Sequence, residues 1–213
     1  MSAILGFVII AIALIIALSV HEYAHARVAD ELGDPTPRLN GRLTLNPLAH
    51  FDPLGTLALI FFRFGWGKPV PIDPYNLRNP KRDQALISLA GPTSNFVVAV
   101  IFAVLYRILP GLVSGITLQL FLAQLIQTIV VLNLGLGLFN LLPVGPLDGL
   151  KILLGILPTE IGVEVEDSMQ RYGLIILLLI LFLPIPGTGS SFVGLILGPT
   201  LMTISNFLLG GIF

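Results

Sequence analysis

The sequence predicts an all-α polytopic membrane protein with about five membrane-spanning helices and a small membrane-apposed β-sheet after the first helix. Of its 213 residues, 55 % are hydrophobic and 11 % are charged, whereas about 25 % of a typical soluble domain is charged. The mean hydropathy is +0.95, and the first apolar run, residues 3–20, contains no charge. We predict one integral-membrane domain over residues 1–213, with a core at 3–150 and C-terminal helices at 166–213.

The first helix is predicted over residues 2–32, because Gly33 and Pro35 follow it and such residues end helices. A stretch of about 20 residues rises about 30 Å, which is the thickness of the hydrocarbon core. No Lys or Arg precedes the apolar run, so we expect a retained transmembrane helix and not a cleaved signal peptide.

Residues 34–82 are predicted to form the membrane-apposed region. Asn40-Gly41 is a hairpin signal, residues 42–45 alternate like a strand, and prolines keep residues 68–73 extended at a sheet edge. Residues 54–64 are apolar but fewer than the roughly 20 that a spanning helix needs. We therefore expect a re-entrant or interfacial helix there.

The remaining apolar segments predict the other helices. Spans at 83–109 and 116–142 are followed by a short helix at 151–157, a polar connection at 160–171, and apolar segments at 173–183 and 192–213. The segment at 173–183 is short for a span unless its helix starts near Glu166. Pro143 ends the third span, and residues 144–149 must then be irregular backbone, which membranes tolerate only inside protein or a water-filled cavity. The total is five spans, or six if residues 54–64 also cross.

Charge placement predicts the orientation in the membrane and excludes some partners. Eight of the 11 Lys and Arg residues fall between Arg27 and Arg82, and basic loops stay on the cytoplasmic side. We therefore expect this segment, and the water entrance to a nearby site, to face the cytoplasm. The net charge of −1 gives no case for nucleic acid, and the absence of cysteine excludes thiolate zinc ligands and disulfides.

Polar residues beside apolar sequence predict a metal-dependent hydrolase. His21 and His25 lie four residues apart and so share one helix face, and Glu22 completes the pattern of a zinc hydrolase with a carboxylate general base. A catalytic zinc ion needs a third protein ligand. Asp148 is the strongest candidate, because an unpaired intramembrane carboxylate costs about 2.5–3.5 kcal/mol. His50 is the weaker alternative, and Asp148 would also suit a helix N-cap.

Other polar residues have both a functional and a structural interpretation. Asn140 could donate a hydrogen bond to a developing oxyanion, or it could bond carbonyls freed near Pro143. Asn95 could face the substrate or oxyanion, although its neighbourhood, residues 91–95, is more typical of helix packing and kinks. His50 could lie near the substrate or oxyanion, or it could be an ordinary loop histidine.

Two motifs resemble those of the site-2 protease family of intramembrane zinc metalloproteases. They are His21-Glu22-Tyr23-Ala24-His25 and Asn140-Leu141-Leu142-Pro143-Val144-Gly145-Pro146-Leu147-Asp148-Gly149. Residues 91–95 resemble a further family element, and residues 46–55 resemble a stretch of the small prokaryotic members without a PDZ domain. The resemblance covers roughly residues 3–150. It implies that His21, His25 and Asp148 bind one Zn2+ per chain and that Glu22 is the catalytic base.

The resemblance also implies partners and a location. Family members cut transmembrane or membrane-anchored substrates, often in regulated proteolysis, so we expect a multi-pass protein of a prokaryotic cell membrane with its active site open to the cytoplasm.

A substrate helix must unwind before attack, and the extended segments at 39–46 and 68–73, with Leu43 and Val70, could bind it by β-strand addition. Gly194 and Gly198 could support a homo-oligomer, although intrachain packing is their commoner use.

Two alternatives stay open on the sequence. Buried Glu, His and Asp residues also mark the pathway of an ion- or proton-coupled transporter, although the inverted repeat typical of such a protein is not visible. A catalytically silent homologue would keep the same residues and retain its substrate without cutting it.

Overall fold

The computed structural model describes residues 3–55, 57 and 65–211. The helices are α1 at Ala3–Glu31, α2 at Thr36–Leu39, α3 at Pro80–Leu112, α4 at Ile116–Asn140, α5 at Asp148–Ile156, α6 at Thr159–Phe182 and α7 at Phe192–Leu209. Two single-turn 3-10 helices, Pro47–Ala49 and Pro74–Asn76, lie between α2 and α3. Four helices in this part of the chain are long and apolar enough to cross a membrane: α1, α3, α4 and α7.

The first predicted spans correspond to observed helices. α1, α3 and α4 match the segments predicted at 2–32, 83–109 and 116–142 to within a few residues in the described part of the chain, and the short helix predicted at 151–157 is α5, which begins at Asp148. The helix predicted at 54–64 lies largely outside the described residues.

The largest difference concerns residues 160–171, which the sequence predicts as a polar connection. They belong to α6, which runs from Thr159 to Phe182. A polar segment forms helix readily when its charged side chains face water, and Glu160, Glu164 and Asp167 are all exposed. With this polar half, α6 is not among the four candidate spans found in the described residues.

Three helices pack through rows of buried residues spaced four apart. Residues four apart share one helix face, and small side chains let helix backbones approach closely. The polar residues His21, His25, Asn95 and Asn133 belong to these rows and therefore lie inside the contact between α1, α3 and α4. The rows are Ile9, Ala13, Ala17, His21, His25 and Ala29 on α1, Ile87, Gly91, Asn95, Ala99 and Ala103 on α3, and Ile129, Asn133 and Gly137 on α4.

Asp34, which lies just after the C-terminus of α1, is hydrogen-bonded to the segment that precedes α3. Its side chain is fully buried and accepts hydrogen bonds from Thr36 N, Thr36 Oγ1, Asp73 N and Asn76 Nδ2 at 2.5–3.0 Å. Gly33, with a φ of +110°, makes the turn that leads into it. The two ends of the connection between α1 and α3 are thereby held together beside the C-terminus of α1.

In place of the predicted hairpin, Asn40 and Gly41 end a helical turn. The Asn40 backbone N–H donates to the Thr36 carbonyl at 3.0 Å, and Gly41 takes a φ of +67°. Pro37 lies in the first turn of α2, where proline suits a helix start, and it has no N–H for a sheet ladder. Where the sequence predicts a small sheet, the described residues form one antiparallel bridge, Phe51–Gly67.

Candidate metal centre

α1 and α5 bring three side chains together at one point. The Nε2 atoms of His21 and His25, one turn apart on α1, lie 3.0 Å from each other. The Asp148 carboxylate oxygen Oδ2, from the first turn of α5, lies 3.1 Å from His21 Nε2 and 3.2 Å from His25 Nε2. In the part of the chain that the structure describes, these residues form the group that could hold a metal ion. They are the three residues that the sequence predicts as ligands.

The outer ring nitrogens of both histidines face acceptors on α3. His25 Nδ1 lies 2.7 Å from the Ile87 carbonyl oxygen, and His21 Nδ1 lies 2.7 Å from Asn95 Oδ1. A carbonyl or amide oxygen only accepts, so Nδ1 carries a proton, and in the neutral ring Nε2 keeps its lone pair. Contacts of this type orient histidine ligands in metal sites, and here they aim both Nε2 atoms at Asp148.

Gly91 lets α3 come close enough to make these contacts. A Cβ atom at this position would lie 2.4 Å from His25 Nε2 and 2.6 Å from His21 Cε1. Nonbonded carbon atoms pack best at about 3.5–4.0 Å. A larger residue at position 91 would therefore push either the helix or the imidazole rings aside.

The end of α4 fixes the position of Asp148. A Cβ atom on the next residue, Gly149, would lie 2.3 Å from the carbonyl oxygens of Leu141 and Leu142, so α5 begins directly against the last turn of α4. Asp148 is the first helical residue, and the N-cap position belongs to Leu147. The N-cap alternative for Asp148 is therefore wrong, and its carboxylate is free to point at the histidines.

The spacing and the chemistry of the three atoms fit a zinc ion. Asp148 Oδ2 is buried and has no hydrogen-bond partner among the described residues, because the histidine protons lie on Nδ1. Three atoms that present lone pairs to one another repel unless a cation lies between them. Tetrahedral ligands at about 2.0–2.2 Å from zinc would be roughly 3.3–3.6 Å apart, slightly more than the observed 3.0–3.2 Å.

A cavity of about 140 Å³ opens at this point, and Glu22 lines it together with the three candidate ligands. Glu22 Oε2 accepts a hydrogen bond from the backbone N–H of Val70 at 3.2 Å. Ser88 and Lys151 also line the cavity, and sequence reasoning missed both. Lys151 follows Asp148 by three residues in a helix, a spacing that places the two side chains on neighbouring faces and could have revealed it.

A buried arginine holds the segment that lies over this cavity. Arg42 is 5 % exposed, and its guanidinium donates to the Ala49 carbonyl, to the Lys68 carbonyl at 3.3 Å and to the Pro69 carbonyl at 3.2 Å. Backbone carbonyls from two separate stretches are thus tied to one side chain. This arrangement places Val70, the next residue along the chain, against Glu22.

The other residues predicted for substrate binding take different positions. Val70 lines the cavity, whereas Leu43 is half-buried in a bend that follows α2. His50 is 1 % exposed, its Nε2 lies 2.7 Å from the Thr44 carbonyl oxygen, and its own carbonyl accepts from Lys68 N at 2.8 Å. These contacts bind His50 to neighbouring backbone in the loop. It is not part of the group formed by His21, His25 and Asp148.

The two predicted asparagines differ in their access to the cavity. Asn140 lines it, and its side-chain amide donates to the Leu136 carbonyl at 3.0 Å. Asn95 is 0 % exposed and lies behind His21, with its oxygen on the ring nitrogen that faces away from Asp148. The contacts of Asn95 favour a role in holding His21 over its predicted role at the oxyanion.

A bundle of apolar helices around paired histidines and a carboxylate defines a membrane-embedded metallopeptidase, and the chain belongs to peptidase family M50, the site-2 proteases. The family profile matches residues 9–184, with no PDZ domain within the match. The family resemblance noted in the sequence is thereby confirmed.

Relatives named as candidate zinc metalloproteases cover most of the chain. YwhC of Bacillus subtilis is 37 % identical over 176 residues, which make up 82 % of this chain and 80 % of the relative. Rip2 of Mycolicibacterium smegmatis is 32 % identical over 192 residues, which make up 84 % of this chain and 68 % of the relative. No solved structure matches the chain.

Proposed function

We propose that this protein is a zinc-dependent intramembrane endopeptidase. One observation carries the proposal: His21 Nε2, His25 Nε2 and Asp148 Oδ2 converge within 3.2 Å of one another, and Glu22 lines the same cavity. The relatives' names support zinc as the metal and proteolysis as the reaction.

His21, His25 and Asp148 would hold one zinc ion per chain. When bound, zinc supplies Lewis acidity, which polarises the scissile carbonyl and lowers the pKa of a bound water towards about 7. The cavity that these three residues line together with Glu22 would admit water or substrate beside them, as in other catalytic zinc sites.

Glu22 is the proposed general base. Its carboxylate takes a proton from the attacking water as the new C–O bond forms, and it then delivers that proton to the leaving amine nitrogen as the C–N bond breaks. Because Glu22 directly follows His21 on α1, it points to a different side of the helix from the ligands and stays available for proton transfer. Asn140, on the cavity wall, would orient the peptide backbone or donate to the oxyanion.

The proposed substrate is a transmembrane or membrane-anchored protein whose helix unwinds locally. A helix hides its carbonyls in i to i−4 hydrogen bonds, so an unwound stretch needs new partners. Segment 68–73 is the proposed partner by strand addition, and the position of Val70 in the cavity wall supports it. Residues 39–46, the other segment that the sequence predicts as extended, form a turn and a bend and therefore do not offer a strand edge.

We further propose that α6 is a fifth span. Its apolar half after residue 172 is by itself too short to cross, so the membrane part of this helix would start near Glu166 and run to Phe182. In this topology the basic segment 27–82 faces the cytoplasm of a prokaryotic cell, and water reaches Glu22 from that side. Lys151, on the cavity wall, would add a positive charge near the same entrance.

Glu22→Gln tests the proposed function. Native protein and variant are reconstituted in lipid vesicles with a panel of single-span substrates, and cleavage and zinc content are both measured. We expect cleavage to fall by about 10²–10⁴-fold with zinc content unchanged, because a side-chain amide at this position cannot accept the proton. Glu164→Gln, the same exchange at an exposed site on α6, is the control. Equal cleavage by native protein and Glu22→Gln would contradict the proposal, and so would a native protein that binds no zinc.

A further inference from the structure

Asn133 is a polar residue in the apolar helix α4, and it is 0 % exposed. An unpaired amide inside protein is costly, since transfer without a hydrogen bond costs about 1–3 kcal/mol by protein mutational data. Asn133 is paired at both of its polar atoms. Its partners lead, through one further residue, to the candidate metal ligand His21.

Hydrogen bonds connect α4 to His21 in a defined direction. Asn133 Nδ2 donates to the Ile129 carbonyl at 2.8 Å, so its oxygen Oδ1 is turned towards α3. There it accepts from Asn95 Nδ2 at 2.9 Å, and the same Asn95 nitrogen donates to the Ala17 carbonyl at 3.0 Å. With its amide nitrogen held by two acceptors, Asn95 presents Oδ1 to His21 Nδ1 at 2.7 Å.

The orientation of the Asn95 amide matters because its oxygen only accepts hydrogen bonds, whereas its NH2 group only donates them. If the Asn95 amide turned over, its oxygen would face the oxygens of Asn133 and Ala17, and its NH2 would face His21 Nδ1. That nitrogen would then have to accept, and the ring proton would move to Nε2. A protonated Nε2 has no lone pair for a metal ion.

We infer that Asn133 is a positioning residue that orients the Asn95 amide and thereby keeps His21 in the Nδ1-protonated form, with Nε2 free for the metal. The inference rests on the metal site of the proposed function. α4 contributes none of the three candidate ligands. Through Asn133 and Asn95 it would nevertheless control how tightly His21 binds the metal.

Asn133→Leu is the first test, read by zinc affinity in a chelator competition. Loss of a hydrogen-bonding partner of a histidine ligand costs about 10–100-fold in metal affinity, and we expect a loss of about tenfold here because Asn133 acts through Asn95. Gln127→Leu is the matched control: Gln127 is another amide of α4, and its Nε2 donates to the hydroxyl of Tyr106 on α3 at 2.9 Å. The control should bind zinc as native protein does.

A conservative variant separates orientation from packing. Asn133→Asp keeps the size of the side chain, and a neutral carboxyl group can donate its O–H to the Ile129 carbonyl and offer its other oxygen to Asn95 Nδ2. Zinc affinity in Asn133→Asp should therefore stay within about threefold of native. Asn133→Leu with native affinity would overturn the inference. An equal loss of affinity in Asn133→Asp and Asn133→Leu would also overturn it and would assign Asn133 to packing alone.

The tautomer can also be measured without any variant. The chain has 3 histidines, and 15N NMR of the metal-free native protein with labelled histidine reports which ring nitrogen carries the proton. We expect Nδ1 of His21 to carry a proton, because it faces Asn95 Oδ1; a His21 ring without a proton on Nδ1 would overturn the inference even if the variants failed to fold. Zinc affinity and the histidine NMR spectrum are both measured without cleavage. A negative result for the inference can therefore be told apart from a negative result for the proposed proteolysis.

Discussion

A Cβ atom on Gly91 would lie 2.4 Å from His25 Nε2. α3 thus passes the two candidate histidine ligands at a distance that glycine alone permits, and the packing of three helices and the geometry of the candidate metal centre depend on the same residue. We predict that Gly91→Ala lowers zinc affinity at least tenfold, because the methyl group displaces the His25 ring from Asp148. Zinc content after dialysis against a chelator measures the effect.

The control for this prediction is Gly135→Ala in α4. A Cβ there meets Leu201 Cδ2 at 3.9 Å, which is ordinary van der Waals contact, so zinc affinity should stay at the native value. Native zinc affinity in Gly91→Ala would show that α3 and the histidines are farther apart than described.

Arg42→Lys is predicted to loosen the segment over the cavity. The Arg42 guanidinium donates to three backbone carbonyls, and a lysine ammonium cannot reproduce that planar fork. Hydrogen bonds of charged groups contribute about 1.5–3 kcal/mol, which corresponds to roughly 10- to 150-fold faster opening. Amide hydrogen exchange at Lys68, whose N–H donates to the His50 carbonyl at 2.8 Å, measures it.

Arg38→Lys serves as the control for Arg42→Lys, because the Arg38 side chain is exposed and pairs with the Asp30 carboxylate, not with the backbone carbonyls that Arg42 holds. Exchange at Lys68 should be unchanged in this control. Equal exchange in Arg42→Lys and native protein would mean that other contacts hold the segment.

Val70→Pro is predicted to lower turnover while leaving bound zinc unchanged. Proline removes the N–H that donates to Glu22 Oε2 at 3.2 Å and removes a donor that strand addition would use. Val70→Ala keeps the N–H and should retain most of the activity. Native turnover in Val70→Pro would remove strand addition from the mechanism.

The connection between α1 and α3 is predicted to weaken in acid through Asp34. Burial raises the pKa of Asp34, but hydrogen bonds from the Thr36 hydroxyl, the Asp73 N–H and the Asn76 amide outweigh burial and hold this pKa below its ordinary value. A carboxyl group of this kind stabilises the folded chain above its unfolded pKa of about 3.9, and the stabilisation is lost as pH falls through the lower folded value.

The protection factor of the Asp73 amide, which donates to Asp34 Oδ2 at 2.8 Å, reports this loss. It should be constant at neutral pH and fall below about pH 4. In Asp34→Asn it should be lower at neutral pH and should not change with acid, since no carboxyl group titrates at that position. A parallel acid response in the two proteins would assign the effect to another group.

Much of the candidate site could be predicted because its signals are local in the chain. His21, Glu22 and His25 occupy one turn of helix, and Asp148 follows a proline-interrupted span, so periodicity and the cost of buried charge single them out. The α1 row of buried residues spaced four apart, in which both histidines lie, was also present in the sequence as a pattern of alanines. It predicts a close helix contact, but not the partner.

What the sequence determined by itself is the membrane setting, the helical character, the paired histidines with their adjacent carboxylate, and the family. Each depends on residue type and spacing along one segment. Only the tertiary structure decided which nitrogen of His21 is free, why Gly91 is glycine, how Arg42 holds the cavity wall, and that Asn133 reaches the metal centre through Asn95. These depend on which helix faces meet, and contacts between residues 38 to 78 positions apart leave no periodic signal in the chain.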